Sequence, residues 1–464
     1  MTTECSRETL LFPGLGGREG VARFDGGDIS SDGGLLLLHE TERRTSIVDR
    51  FARCFRDLRS PVLVRHQVRD LVLQRVFGLA LGYEDLNDHD DLRHDPLFAA
   101  SVGKDPGEGG VAPAGKSTLN RLELSRPEDA AGHRYKKVFL DPDATDQLLV
   151  DVFVESYPTA PEEIVLDLDP TDFPLHGHQE GRFFHGYYDA YCYLPLYVFC
   201  GGHLLLARLR TADRDAAAGA KDEMAALVAR IRRAWPETRI VLRADSGFCR
   251  EELMAWCEAE GLYYVFGLAR NAVLERTIET EMAEARALFE ATGEASRVFT
   301  EFGYRTKDSW SCYRRVVAKA EVLSGGPNPR FVVTNFFPGE WEARALYEDL
   351  YCARGDMENR IKEQQLGLFA DRVSAATLRA NQVRLYFSSV AYVLLHALRR
   401  LGAGDHEEIA RAQCTTMRLK LLKVGAQIRV TTRRVWVSLS SSWPYAALFL
   451  AVYANLQRAP LHTG

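Results

Sequence analysis

The sequence predicts an α/β protein built on a mixed sheet with helices on its faces, flanked by a mostly helical N-terminal module and a mostly helical, basic C-terminal region. Three observations lead there. Between residues 164 and 268, apolar β-rich runs and helical runs follow one another in the order βββαβαβ. Before residue 155, apolar residues recur at helical spacing. After residue 340 they do so again.

Taken in order, residues 1 to about 30 are Gly-rich and read as irregular. From Ser31 to about Gly103 the pattern is helical: Val62, Val64, Val68, Leu71, Val72, Val76 and Leu79 repeat on one face, with Arg65, Arg69 and Arg75 between them. Lys104–Gly115 is a Gly/Pro/charged loop. Ser117-Thr118-Leu119-Asn120-Arg121-Leu122-Glu123 opens another helix, with Ser117 or Thr118 as its N-cap. Ile164–Asp169, Arg182–Cys200 and His203–Arg210 read as three meandering strands, the last two joined at Gly201-Gly202. Helices over Ala216–Trp235 and Glu251–Glu260 alternate with strands over Arg239–Asp245 and Leu262–Leu268. The resulting division is a mostly helical N-terminal module at 1–155, the first part of the sheet domain at 160–270 and a β-rich insertion at 271–338. A helix at 339–370 completes the core, and the C-terminal region at 371–464 carries a strand pair at Gln427–Ser438.

Composition narrows the class. Apolar residues make up 46% of the chain and charged residues 26%, the balance of a soluble globular protein. No uncharged apolar run reaches the ~18–20 residues a membrane span needs; the nearest, Leu385–Leu398, is too short. Met1–Cys5 shows no basic segment before an apolar one, so no secretory signal is expected. Nine scattered cysteines without a C-x-x-C pair fit free thiols in a reducing cytoplasm. Net charge is −6, yet 370–464 holds thirteen Arg/Lys against four Asp/Glu, compatible with a phosphate-binding face or with a solvated helical surface.

Three acidic segments carry the chemistry. Ile164-Val165-Leu166-Asp167-Leu168-Asp169 and Ile240-Val241-Leu242-Arg243-Ala244-Asp245 are apolar strands running into carboxylates. Such groups are costly to desolvate without a cation or hydrogen bonds. Asp167 and Asp169 alternate with leucines and share one face. Asp245 before Ser246-Gly247 also suits a simple turn. On the third segment Tyr351, Arg354, Glu358, Lys362 and Gln365 are spaced 3, 4, 4 and 3, so one helix face carries them. By itself that spacing describes a surface ion-pair ladder. The scattered His176, His178, His185 and His203 match no standard zinc spacing.

The βββαβαβ order with an insertion before an acidic helix resembles the ribonuclease H-like core of DDE transposases. Tyr351, Arg354 and Glu358 look like the Tyr-x-x-Arg-x-x-x-Glu signature of a bacterial insertion-sequence branch. Five further stretches are similar to the Insertion Sequence 1380 family: Ile29–Gly34, Gly82–Asp88, Ser117–Glu123, His176–Gln179 and Asp245–Phe248. The resemblance implies a metal-binding triad of Asp169, Asp245 and Glu358, with Asp169 favoured over Asp167 because Thr171 follows two residues on. Asp167 stays the alternative first ligand. The branch places a basic residue seven positions after the Glu, where this chain has Gln365; Lys362 lies four after it.

A two-metal phosphoryl transfer follows from that implication, with two Mg²⁺ or Mn²⁺ ions on carboxylate oxygens. Arg354 and Lys362 would contact phosphates, and Arg65, Arg69 and Arg121 would bind DNA in the N-terminal module. The implied activity is cleavage at terminal inverted repeats and strand transfer to target DNA, by a homodimer in a synaptic complex at the nucleoid. Two other readings remain at this point: a nuclease of the same core that only hydrolyses, and an inactive transposase-derived DNA-binding protein.

Overall fold

The computed structural model describes residues 9–105, 110–130, 132, 134 and 136–462. The Met1–Cys5 segment and part of the 104–115 loop lie outside the described residues. Two compact units emerge, residues 141–389 and residues 1–140 with 390–464. These differ from the division expected at 155 and 371. Pro142–Glu155 belongs with the sheet, and the C-terminal stretch joins the N-terminal one.

In the 141–389 unit, β1 (Glu163–Pro170), β2 (Leu196–Cys200) and β3 (His203–Arg208) form an antiparallel meander. Helices α1 (Ala220–Ala234) and α2 (Glu251–Ala259) lead into β4 (Arg239–Ala244) and β5 (Tyr263–Leu268), which run parallel to β1. The expected single strand over Arg182–Cys200 is broken into Phe183–His185, Ala190–Tyr193 and β2. Asp189 takes a left-handed conformation in the first break, and Pro195 cannot donate to a ladder in the second.

The 271–338 region opens with two helices, Ala272–Thr277 and Glu279–Thr292, where a β-rich insertion was expected. The Glu/Ala-rich composition of the second gives high helix propensity. Its strands β6 (Ser296–Tyr304), β7 (Arg314–Leu323) and β8 (Arg330–Thr334) then extend the main sheet, because β8 pairs antiparallel with β5. The full order is β3-β2-β1-β4-β5-β8-β7-β6, with the short Gly326–Pro327 strand paired to β7.

Alternation along β1 and β4 divides the sheet into two apolar faces. Leu166, Leu168, Leu242 and Ala244 pack with Met224, Leu227 and Leu253 of α1 and α2. Val241, Val265, Val317 and Val332 pack with Leu346, Tyr347 and Leu350. This second face therefore fixes the segment that enters the acidic helix. That segment is not one continuous helix: a π-helical turn at Leu346–Tyr351 and a 3-10 turn at Cys352–Arg354 precede α3 (Gly355–Leu368). Single π turns inside helices recur at functional sites.

The second unit is mostly helical, with Leu35–Thr45, Val68–Leu81, Lys116–Leu124 and Ala446–Arg458 among its helices. Its strands Ala426–Thr431 and Arg434–Leu439 add to Asp28–Ser30, inside the stretch expected to be irregular. Leu10–Leu15 and Arg18–Ala22 form a hairpin in that stretch too. Lys116–Leu124 starts at a Gly115 N-cap, ahead of the expected Ser117 or Thr118; Asp90 Oδ1 accepts from Lys116 N at 3.0 Å. Among the described residues no helix is long and apolar enough to cross a membrane.

Candidate active site

Register determines what the two strand-end carboxylates do. On β1 and β4, Asp167 lies opposite Arg243 and Leu168 opposite Ala244. Asp169 and Asp245 follow at the C-terminal ends of these adjacent parallel strands. Asp167 is buried in a bidentate ion pair: Arg243 Nε donates to Oδ1 at 2.5 Å and the second guanidinium nitrogen to Oδ2 at 2.8 Å. Arg243 also donates to the Leu350 carbonyl at 2.5 Å. One buried guanidinium thus joins β1, β4 and the turn that carries Tyr351. Planar bidentate pairing of this kind is what an arginine, and no lysine, supplies.

Asp169, two residues on, reaches the acidic helix instead. Arg354 donates to its Oδ1 at 2.6 Å and lies 3.2 Å from Glu358 Oε1. The guanidinium therefore stands between a strand carboxylate and a helix carboxylate. Asp169 is largely shielded from solvent, whereas Glu358 is half exposed. Burial raises the Asp169 carboxyl; Arg354 opposes the rise, and Asp245 and Glu358 add to it, giving a value of about 7. Arg354 is raised: burial works against its charge, and Asp169 leads the groups that favour it.

Asp245 closes the turn that its sequence context allows. Its Oδ1 accepts from Gly247 N at 2.8 Å and caps the Ser246–Phe248 turn. It also lies within electrostatic reach of Asp169, Tyr351 and Arg354. Tyr351 packs against Tyr347 with the rings tilted by 47° and their centroids 5.6 Å apart. Burial raises its hydroxyl pKa, with Arg354 opposing and Asp245 adding. Gly267 on β5 makes this approach possible. A Cβ there would stand 2.7 Å from the Tyr351 hydroxyl and 2.9 Å from Ser246 N.

The remaining predicted residues separate. Gln365 donates to Thr171 Oγ1 and to the Asp172 carbonyl, both at 3.2 Å, so it ties the helix to the loop after β1. Lys362 is exposed and forms no ion pair among the described residues. His178 Nδ1 and an Arg182 guanidinium nitrogen lie 3.2 Å apart. Tyr188 lies close enough for Asp172 and Asp169 to add to the rise that burial gives its hydroxyl, to about 12. Arg243 and Gly267 were missed. The one signal for Arg243 was a cation placed mid-strand among apolar residues, and no signal marked Gly267.

Among the described residues, no three His, Cys, Asp or Glu side chains are already gathered as a metal cluster. The donor chemistry still fits a hard dication: Asp169, Asp245 and Glu358 are oxygen donors, Asp169 is raised by burial and further by the other two, and Arg354 is the charge that opposes the rise.

In the 1–140/390–464 unit, Arg69 pairs with Asp49 at 2.7 Å. Arg65 and Arg121 instead line a cavity. Two of the quoted stretches meet in a network: Tyr83 donates to Asp32 at 2.7 Å, and Lys423 pairs with Asp32 at 2.6 Å. Arg75 and Glu123 form a buried pair at 3.2 Å.

No curated protein matches the sequence. Among solved structures, the piggyBac transposase synaptic complex with hairpin DNA is similar at 11% identity and a TM-score of 0.42, over 94% of this chain and 83% of that one. The family model described as transposase DDE domain group 1 matches residues 12–461, nearly the whole length, and the chain belongs to that family.

Proposed function

We propose that this chain is the transposase of a bacterial insertion sequence of the Insertion Sequence 1380 kind, with a ribonuclease H-like core and Asp169, Asp245 and Glu358 as its catalytic carboxylates. The observation that carries the reading is Arg354 held between Asp169 and Glu358, with Asp245 on the adjacent strand end. A cation already occupies the place where the carboxylates need one. Family membership supports the same chemistry.

The substrate would be duplex DNA with terminal inverted repeats, cut and then joined to target DNA by a homodimer. Two divalent ions, Mg²⁺ or Mn²⁺, would supply activation of the attacking oxygen and stabilisation of the leaving 3′-oxygen when bound by the three carboxylates. Asp169 would serve in its ionised form. Arg354, once released from Asp169, becomes a phosphate ligand beside the scissile bond. Asp167 holds Arg243 and lies outside the ligand set. Tyr351 covers the end of β5 and limits water on that side. Lys362, exposed on α3, would contact a flanking phosphate.

The test is a plasmid carrying the gene's flanking inverted repeats, incubated with the protein and Mn²⁺. Cleavage at the repeat ends and joining to a second duplex are expected, with Asp245→Asn and Glu358→Gln inactive. Cleavage without joining would leave a hydrolytic nuclease. DNA binding without cleavage would leave a silent relative. Cleavage retained in Asp245→Asn would remove the site assignment.

A further inference from the structure

We propose that the hairpin formed by Leu10–Leu15 and Arg18–Ala22 is an exchange arm. It docks on the outer face of the three-stranded Asp28–Ser30/Ala426–Thr431/Arg434–Leu439 sheet of a second copy of this chain, and that copy's arm docks here in return. Every residue from Leu10 to Leu15 is exposed, and on the return strand only Gly20 and Ala22 are partly covered. The sequence does not suit that exposure. Leu10 and Phe12 alternate onto one face, and Leu15 joins them: a Cβ on Gly20, opposite Phe12, would stand 2.3 Å from Leu15 Cδ1 and 3.3 Å from Phe12 Cβ. Leu11 and Val21, paired across the hairpin, occupy the other face. These five side chains are 41–61% exposed. A two-stranded hairpin on its own is marginal in water and gains stability by packing on a further layer. Contiguous exposed apolar surface of this kind marks an interaction site.

The receiving surface lies in the same unit. On the outer face of the three-stranded sheet, Ile29 stands opposite Gln427, and Arg429 opposite Trp436. Ile29 and Trp436 are both exposed there. A groove of about 1190 Å³ runs past Asp28, Arg429, Thr431 and Trp436. Arg429 and Arg434 flank Trp436, 5.5 and 5.6 Å from its ring centroid. Charges match as well: Glu19 suits Arg429 and Arg434, and Arg18 suits Asp28, and none of these five forms an ion pair among the described residues. Within one chain, arm and groove both stay open, although only Arg23–Gly27 separates the arm from Asp28 on the groove wall. That root is tied down, Gln427 Nε2 donating to the Gly26 carbonyl at 3.2 Å, and no arm residue lines the groove beside it. A surface and its complement carried on one chain close in pairs about a two-fold axis. Thirteen arm residues and eleven groove residues make twenty-four a side, within the roughly 20–30 of a standard stable interface.

The inference gives the proposed homodimer a surface without resting on the transposase chemistry, and its test uses neither DNA nor metal. Full-length protein is followed by sedimentation equilibrium in EDTA. Standard-size interfaces bind at micromolar Kd or tighter, so the wild type should be a dimer at about 10 µM. Phe12→Glu/Leu15→Glu on the arm and Trp436→Glu on the groove should each raise the dimer Kd by about a hundredfold or more, since each puts charge on a buried apolar anchor. All three side chains are open in the single chain. Melting temperatures of the dilute, monomeric variants should therefore stay within about 2 °C of the equally dilute wild type. Mixing decides the exchange. The arm variant keeps its groove and the groove variant keeps its arm, so an equimolar mixture should regain a dimer with one intact contact, about tenfold tighter than either variant alone. A wild type that stays monomeric, or a dimer that both variants leave intact, overturns the proposal. So does a mixture that regains nothing, or an arm variant that melts well below wild type when dilute; either would mean that each arm packs on its own chain. None of these outcomes touches the carboxylate assignment.

Discussion

Replacing Arg243 by Met tests whether Asp167 is a structural partner or a metal ligand. The pair is shielded, with side-chain exposures of 9% and 5%, so screening by water does little to weaken it. Removing one member of a buried pair costs about 3–5 kcal/mol, because the other charge is left uncompensated. The Leu350 carbonyl loses its donor as well, a further ~1–3 kcal/mol if it stays buried. Protonation of Asp167, whose carboxyl burial already raises, returns part of that cost. The expected loss is therefore about 4 kcal/mol. In Asp167→Leu/Arg243→Met both charges are gone, and only the orphaned carbonyl remains. The double variant should lie within about 2 kcal/mol of wild type, more stable than Arg243→Met alone. Urea unfolding of the metal-free protein, followed by tryptophan fluorescence, measures this. Calorimetric Mn²⁺ titration completes the test: Asp167→Asn should keep binding the ion and Asp169→Asn should lose it. A double variant as damaged as the two single losses added together, or Mn²⁺ binding lost in Asp167→Asn, would refute the reasoning.

Gly267→Ala should impair cleavage and lower stability by about 1–3 kcal/mol, since the new methyl meets both the Tyr351 hydroxyl and Ser246 N. Adding Tyr351→Phe should restore stability only in part, because the backbone contact survives. The raised Asp169 sets a pH signature in the metal-free protein. Its folded value near 7 lies above the ordinary carboxylate range, so the protein binds this proton more tightly when folded. That contribution is complete below about pH 4 and is lost as pH rises towards 7, on the order of 4 kcal/mol. Asp169→Asn should thus be more stable than wild type at pH 8 and equal to it near pH 4; a gap that does not close on acidification in thermal melts would count against it. Gln365→Ala removes both bonds to the loop after β1, and faster amide exchange at Thr171 and Asp172 should follow.

The sequence by itself determined the strand order, because βββαβαβ is written in apolar runs whose lengths and turn residues permit few connections. It determined the carboxylates too, since an aspartate ending an apolar strand is visible without coordinates. Tertiary structure decided which of two neighbouring aspartates does what. Asp167 and Asp169 share a face, and only the register that sets Arg243 opposite Asp167 separates a buried ion pair from a carboxylate facing the helix. Register is long-range information, carried by no local pattern. The same holds for Gly267, whose missing side chain matters because Tyr351, 84 residues away, lies over it. Interruption of the acidic helix by a π turn was invisible, since helical spacing persists through it. The cavity that Arg65 and Arg121 line escaped as well: its arginines lie up to 75 positions apart in the chain, and folding alone gathers them around one space.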